Sequence, residues 1–531
     1  MFCFRSAVAH LNLMHALHIN GNDLTLEDVR QVVYERRAVL LQPEARAAVE
    51  LARSVVDHLV ENEIVVYAVN TGVGHLADLH ISLQDVHKLQ LNLVRSHCVG
   101  VGEPLPQDVT RAMMLLRANS LAKGFSGVRP VVIDTLCEML NRNVHPVIPS
   151  QGSVGASGDL APLSHLALGM IGEGEVVQEG KRMTAAAAMK KADIRPLQLH
   201  AKEAISLING TQGMLAVGVL TLLEAGVLAD SADVIGALTL DALKGTDVAF
   251  DERIQKARPH SGQVLVARNL RRLLEGSIIR QSHLECQKVQ DAYSLRCMPQ
   301  VHGAVRDTLA HCREVFEIEM NSAVDNPLVF PEERKVGAPK RAVGVNLPGV
   351  ILSGGNFHGE PLAFALDFMA IALSALAGIS ERRLERLVNP SLNEGLPAFL
   401  APGAGLHSGF MMPQVTAAAL VNENKVLSHP ASVDSITTSG NKEDFVSMGM
   451  TSANKLLRVV ANTRNVLAIE ALAAAQAHDF RAPLQTSKRG QTALAAIRAV
   501  SPVVAEDRVL APDIEKVAGL IASGKLAEAL R

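Results

Sequence analysis

The chain has 531 residues, with 51 basic against 54 acidic side chains, a formal charge of −3 and no long basic run, which removes the electrostatic case for binding nucleic acid. Its hydrophobic class is 48 %; counting glycine and leaving out tyrosine lifts this to about 55 %, above the roughly 45–50 % of ordinary domains, so one monomer holds more apolar surface than it can hide and a homo-oligomer is expected. None of the six cysteines stands at zinc-site spacing from another, so reduced thiols, a cytoplasmic location and no metal are expected.

Residues 1–16 carry no acid and the single basic residue Arg5, a poor match to a secretion signal, and read as an N-terminal extension. After Pro43, Val55, Val56 and Leu59 repeat on one helical face, and Val86, Leu89 and Leu93 do so in the next segment. Strand-like material is scarce: Ile64–Val69 and short pieces near Val176 and Val343 are the candidates. The apolar run Leu160–Met170 predicts a helix with Asp159 near its start. Val305, Leu309, Cys312, Phe316 and Met320 form a longer stripe, and residues Leu362–Leu387 and Asn454–Ala477 read as two of the longest helices. The stretch Phe364–Ile379 is the most apolar, but it contains Asp367 and is short for a membrane span, so it reads as a buried helix and no membrane partner is expected. The fold class is mainly α. Gly/Asn-rich runs at 70–74, 152–158, 209–213 and 354–359 interrupt the helices, where loops tend to carry function.

One of these runs carries unusual chemistry. Residues 152–164 read Gly-Ser-Val-Gly-Ala-Ser-Gly-Asp-Leu-Ala-Pro-Leu-Ser. If a tight bend brings the Gly158 nitrogen onto the Ala156 carbonyl carbon, a five-membered ring closes with loss of water, and loss of the Ser157 hydroxyl then leaves an exposed methylidene. Gly158 lacks the Cβ that would block this approach, Ala156 keeps the ring uncrowded, and Ser157 supplies the leaving group. The product, a methylideneimidazolone, is an electron sink made without an external cofactor. The triplet alone is weak, since roughly one chain in five of this length contains it by chance, and an ordinary loop capping a helix is its plain alternative.

The surroundings of the triplet are more specific. The stretch Arg117–Glu173, including Leu121-Ala122-Lys123-Gly124-Phe125-Ser126-Gly127-Val128-Arg129-Pro130, resembles the aromatic amino acid ammonia-lyases, most closely those acting on histidine. Further blocks agree in order and spacing: Tyr67–Gly74, Leu207–Gln212, Val289–Arg296, Gly355–His358 and Glu423-Asn424-Lys425. The resemblance implies a smaller mixed N-terminal domain over residues 17–120, a long-helix bundle over 121–531 carrying the Ala156-Ser157-Gly158 electrophile, and a homotetramer whose active sites draw loops from more than one subunit. It also implies non-oxidative elimination of ammonia from L-histidine to give trans-urocanate.

Roles follow by match to the family. Tyr67 would be the base at the substrate β-carbon, for which a phenol needs a site that stabilises phenolate or takes the proton in concert with bond breaking. Arg296 would clamp the carboxylate, since a guanidinium pairs two oxygens at once. Tyr293, Gln290 and Asn209 would surround the electrophile and the substrate head, and Phe357 would press beside the ring. The pair Ser96-His97 stands where histidine-acting members carry it, and Glu423 is matched to the glutamate that approaches the imidazole. Two polar partners for one ring should reject phenylalanine by roughly 10⁴-fold, because they would be left unpaired. Met298, His302, Val73 and Val421-Asn422 depart from the commonest family choices without touching the reaction class.

Three other readings are weighed. Gly72-Val73-Gly74-His75-Leu76-Ala77 has the G-x-G-x-x-A form of a dinucleotide loop, but the acidic residue about 20 positions on is missing and no strand–helix alternation surrounds it. A non-catalytic helical oligomer descended from a lyase is opposed by the retained Ser157, Tyr67 and Arg296. Tyrosine or phenylalanine lyases and aminomutases of the same family are separated by their products.

Overall fold

The computed structural model describes residues 15–64, 66, 69, 71, 81–285, 288–331 and 348–531. Helix starts follow local chemistry. Thr25 and Asp28 cap each other at the start of helix Leu26–Tyr34, each side chain accepting from the other's backbone nitrogen at 3.1 Å. Pro43 and Pro130 open helices Pro43–Glu61 and Pro130–Asn141, where the missing N–H has no partner to lose.

The chain forms two compact units, the first of residues 1–220, 314–366 and 431–454, the second of residues 221–313, 367–430 and 455–531. The boundary expected near residue 120 falls in the last turn of helix Gln107–Ala122, inside the first unit. That helix is buried on nearly every face, including Arg111, Arg117 and Asn119, so its polar groups must find partners inside. Arg111 donates to the Val32 and Leu140 carbonyls at 2.7 and 3.1 Å. Beside it, Val55, Val56 and Leu59 pack with Val69, Val86, Ala201 and Val329 in one buried cluster, as the helical spacing predicts.

Strands in the first unit are three or four residues long. Leu17–Ile19 pairs in parallel with Val39–Leu41, while Val144–Pro146, Glu175–Gln178 and Lys181–Thr184 form a three-stranded antiparallel sheet. Val101–Pro104 pairs with Pro149–Gln151, and Leu328–Pro331 with Gly349–Leu352. The piece near Val176 is thus a strand. Among the described residues of Ile64–Val69 no strand forms; the Val69 N–H instead donates to the Val66 carbonyl in a turn. Val343, the Gly72–Ala77 loop and residues 1–14 lie outside the described residues.

The second unit contains the larger parts of the long helices Gln212–Ala242, Glu360–Val388 and Gly449–Phe480. The first two are long and apolar enough to cross a membrane, yet most of each apolar window is buried inside the chain. Asp367 is buried and pairs with Lys455 at 3.1 Å. A buried polar network ties these helices together. The Glu470 carboxylate accepts from Arg383 at 2.6 and 2.8 Å, from Thr239 at 2.8 Å and from Ser380 at 2.5 Å. Arg383 also donates to His302 Nε2 at 3.2 Å, which leaves the proton on Nδ1 for Asp233, 2.8 Å away. Burial holds the His302 imidazole below its ordinary pKa. His302 is thereby a buried link between an arginine and a carboxylate.

Removing one member of such a network leaves an unpaired buried charge. Glu470→Ala is expected to lower unfolding free energy by about 3–5 kcal/mol in urea titration, and a loss below about 1 kcal/mol would show that water reaches Arg383.

Candidate active site

The segment 152–159 is shaped by contacts from three other parts of the first unit. Gly155 O accepts from the Gly359 N–H and the Ser447 hydroxyl, both at 2.9 Å, and Val154 O accepts from Met448 N–H at 2.8 Å. Ser157 is thereby held at φ +58°, a left-handed conformation that costs a residue with a Cβ about 1–2 kcal/mol. Next in the chain, a Cβ on Gly158 would lie 2.1 Å from the Gly210 carbonyl oxygen, so only glycine fits. The Asp159 N–H donates to that same oxygen at 2.7 Å, and Asn209 Nδ2 donates to the Ser157 carbonyl oxygen at 2.7 Å. The backbone of the Ala156-Ser157-Gly158 triplet therefore lies directly on the Asn209–Gly210 turn.

Ala156 and Ser157 face a cavity of about 1050 Å³ that is also lined by His97, Asn209, Phe357, His358, Glu443 and Phe445. His97 ends helix Leu83–His97, and its Nδ1 lies 2.8 Å from the Leu93 carbonyl oxygen. A carbonyl only accepts, so Nδ1 carries the proton and Nε2 is left as an acceptor. Ser96 does not line the cavity; its hydroxyl turns back to Leu93 O at 3.2 Å.

Four of the sequence-predicted residues belong to the second unit and are not among the described residues lining this cavity. Gln290 is exposed, and Tyr293 is 71 % exposed with the Arg296 guanidinium 4.7 Å above its ring. Arg296 Nε is buried without a hydrogen-bond partner among the described residues. The Glu423 carboxylate, in helix Met411–Leu427, accepts from Asn462 Nδ2 at 2.7 Å and from the Arg458 guanidinium, contacts that hold its pKa below the ordinary value. Tyr67 lies outside the described residues.

A carboxylate that sequence reasoning missed, Glu443, reaches Ser157. Its Oε1 accepts from Ser157 Oγ at 2.8 Å and its Oε2 from Thr438 Oγ1 at 2.7 Å. The available signal was the polar run Asn441-Lys442-Glu443-Asp444 after Gly440, an irregular segment without periodicity to place it.

In the plain alternative, a loop capping a helix, Asp159 would supply the cap; its side chain is used elsewhere. It makes no side-chain cap to its own helix; instead Oδ1 accepts from Ser153 Oγ and Oδ2 from the Met214 N–H, both at 2.8 Å, which ties the loop to helix Gln212–Ala242. Burial lifts its carboxyl pKa from 3.8 to about 6. Between these values the folded chain holds a proton that the unfolded chain has lost. Stability from this group is therefore complete below about pH 4 and is lost as pH rises through about 6, by about 3 kcal/mol in all. Asp159→Asn, neutral throughout, should gain up to about 3 kcal/mol relative to wild type between about pH 4 and pH 7 in urea titrations; a pH-independent difference would contradict this.

With the geometry in place, comparison with known proteins is direct. Residues 24–499 match the model of the aromatic amino acid lyase family. The chain is 70 % identical over 518 residues to a histidine ammonia-lyase of Koribacter versatilis, covering 98 % of this chain and all of that one, and 52 % identical to one from Stigmatella aurantiaca over 97 % of this chain and 98 % of that one. Among solved structures, the histidine ammonia-lyase of Trypanosoma cruzi superposes with a TM-score of 0.87 at 42 % identity, covering 97 % and 95 % of the two chains. A tyrosine aminomutase from Streptomyces globisporus gives 0.89 at 40 %, covering 97 % and 98 %. A matched family model over most of the length, near-complete relatives and a shared helical fold agree: the chain belongs to the aromatic amino acid lyase family.

Proposed function

We propose that the protein is a histidine ammonia-lyase, a carbon–nitrogen lyase that eliminates ammonia from L-histidine to give trans-urocanate. The observation that carries this is one cavity lined by His97, Glu443, Ala156 and Ser157, in a chain 70 % identical over 98 % of its length to a named histidine ammonia-lyase. The triplet fits a self-formed methylideneimidazolone: Ser157 is held left-handed, Gly158 stands where no Cβ is accommodated, and a donor already sits on the Ser157 carbonyl oxygen. When formed, that ring supplies an electron sink on which the amino group becomes a better leaving group, with no external cofactor or metal.

The chain's own residues bind and orient. Asn209 donates to the Ser157 oxygen, where a preorganised donor stabilises negative charge. Loss of the Ser157 hydroxyl would also release Glu443 Oε1 from its present donor, leaving that oxygen for the substrate. Glu443 and His97 Nε2 then present two acceptors, matched by the N–H groups of a protonated imidazole and by nothing on a benzene ring. Phe357 contributes an apolar wall. We assign Tyr67 as the base at Cβ, Arg296 as the carboxylate clamp, and Tyr293 and Gln290 as polar groups around the substrate head. The assembly assigned is a cytoplasmic homotetramer with shared sites, binding a small amino acid and neither nucleic acid nor membrane. The exposed apolar faces of Phe364, Phe368 and Ile371, and of Met411, Met412 and Val415, are consistent with burial between copies.

The resemblance to a tyrosine aminomutase supports a second reading in which ammonia is held and re-added. Product analysis decides: urocanate is expected, and β-histidine would favour the mutase. Purified protein incubated separately with histidine, tyrosine and phenylalanine should form conjugated acrylate product with a preference for histidine of roughly 10⁴-fold in kcat/KM. Glu443→Gln should reduce that preference by at least about tenfold. A benzenoid preference in wild type, or an unchanged ratio in the variant, would overturn the pocket assignment.

A further inference from the structure

Arg117 opens the stretch of sequence that resembles the family, yet nothing so far gives it a role. It is completely buried in helix Gln107–Ala122. Its hydrogen bonds all go to neutral oxygens: Nη1 donates to Asn209 O at 3.0 Å and to Gln212 Oε1 at 2.8 Å, and Nη2 donates to Ser206 O. Its Nε has no hydrogen-bond partner among the described residues. Asp325, the carboxylate that acts on it through space, is already bonded to Lys202 at 3.2 Å and to Ser126 at 2.9 Å. Burial lowers the Arg117 pKa to about 10, which leaves it charged at neutral pH. A buried cation spent on three neutral oxygens is an expensive way to stabilise a turn, and hydrophobic residues of similar volume would often serve as well.

The turn it holds is the one beneath the electrophile. Asn209 Nδ2 bonds the Ser157 carbonyl oxygen, the oxygen conjugated with the methylidene carbon that Ser157 Cβ would become. Asn209 Oδ1 is buried with no hydrogen-bond partner among the described residues, so the amide is not fixed from that side. Its aim depends on its backbone, whose carbonyl Arg117 grips. The next residue shows how tightly: a Cβ on Gly210 would stand 2.1 Å from Arg117 Nη1.

We infer that Arg117 is a positioning residue for the electrophile: through the Asn209 carbonyl it sets the Asn209 amide on the Ser157 oxygen and places a positive charge behind that donor. The inference rests on the proposed lyase reading, and the wild-type protein assayed in parallel separates the two, because its turnover of histidine does not depend on what any Arg117 variant does.

The test uses Arg117→Met and Arg117→Lys in the full-length protein, with helical content and melting checked first. Three quantities are read: steady-state constants with histidine, the near-ultraviolet difference spectrum against Ser157→Ala, which reports the conjugated ring, and the intact mass, which reports loss of water. Arg117→Met should lower kcat per folded molecule by roughly 10²-fold with KM within about threefold, and shift or weaken the ring absorption. Arg117→Lys should recover at least about tenfold of that loss, because charge is restored without the second arm of the fork. If the methionine variant does not fold, the lysine variant decides alone: about tenfold lower kcat, unchanged KM and a displaced band are expected. Wild-type kcat and spectrum in the folded variants, or kcat and KM worsening together, would overturn the inference and leave Arg117 as a packing residue.

Discussion

The site depends on one backbone contact, the seating of Ser157–Asp159 on the Asn209–Gly210 turn. Gly158 lies so close to the Gly210 backbone that it could carry no Cβ, a Cβ on Gly210 would run into Arg117 and Gln212, and hydrogen bonds run from Asp159 N–H and the Asn209 amide to the opposite segment. Such a contact is intolerant by nature: it has no flexible side chain to absorb an error, so its geometry is inherited from whatever holds each strand of the pair. On one side that support is Asp159 with Ser153 and Met214; on the other it is Arg117 with Ser206, Asn209 and Gln212. Gly359 and Ser447 close the arrangement through the Gly155 carbonyl, and Met448 through that of Val154. Segments far apart in sequence are thus committed to holding three consecutive residues in a conformation that isolated chain would avoid.

That cost is consistent with chemistry performed by the main chain itself. Ordinary catalytic groups need only a rotamer and a pKa, whereas an electrophile built from backbone needs the backbone bent before the reaction begins. A fold of long helices suits this, because helix ends and the loops between them can be fixed by a rigid scaffold. The buried network of Asp233, His302, Arg383 and Glu470 serves the second unit in the same way, joining helices by charges that are fully paired.

What could be read in the sequence follows physical lines. Helices were legible because a 3.6-residue period over fifteen or more residues overrides local ambiguity; Val305, Leu309, Cys312, Phe316 and Met320 are all buried. The short strands were mostly invisible, since three or four residues cannot display alternation, and Ile64–Val69 looked extended from β-branched composition alone. Within the cavity, Ala156, Ser157, His97, Asn209 and Phe357 were found because their blocks are distinctive in order and spacing. Glu443 was not: it stands in an irregular segment without periodicity, and only its three-dimensional partner Ser157 brings it into view. Asp159 stands before an apolar run, where a plain capping loop would place a cap, while its bonds reach across to another helix.

If the triplet condenses, the change is written into the covalent mass of the chain, independent of substrate, assay or assembly. Mass spectrometry of the intact wild-type protein, beside Ser157→Ala, measures it directly. The wild-type chain should weigh less than its translated sequence by two waters, a deficit the alanine variant cannot reach because it has no hydroxyl to lose. A wild-type mass equal to the unprocessed translation would contradict the backbone electrophile and, with it, the proposed reaction.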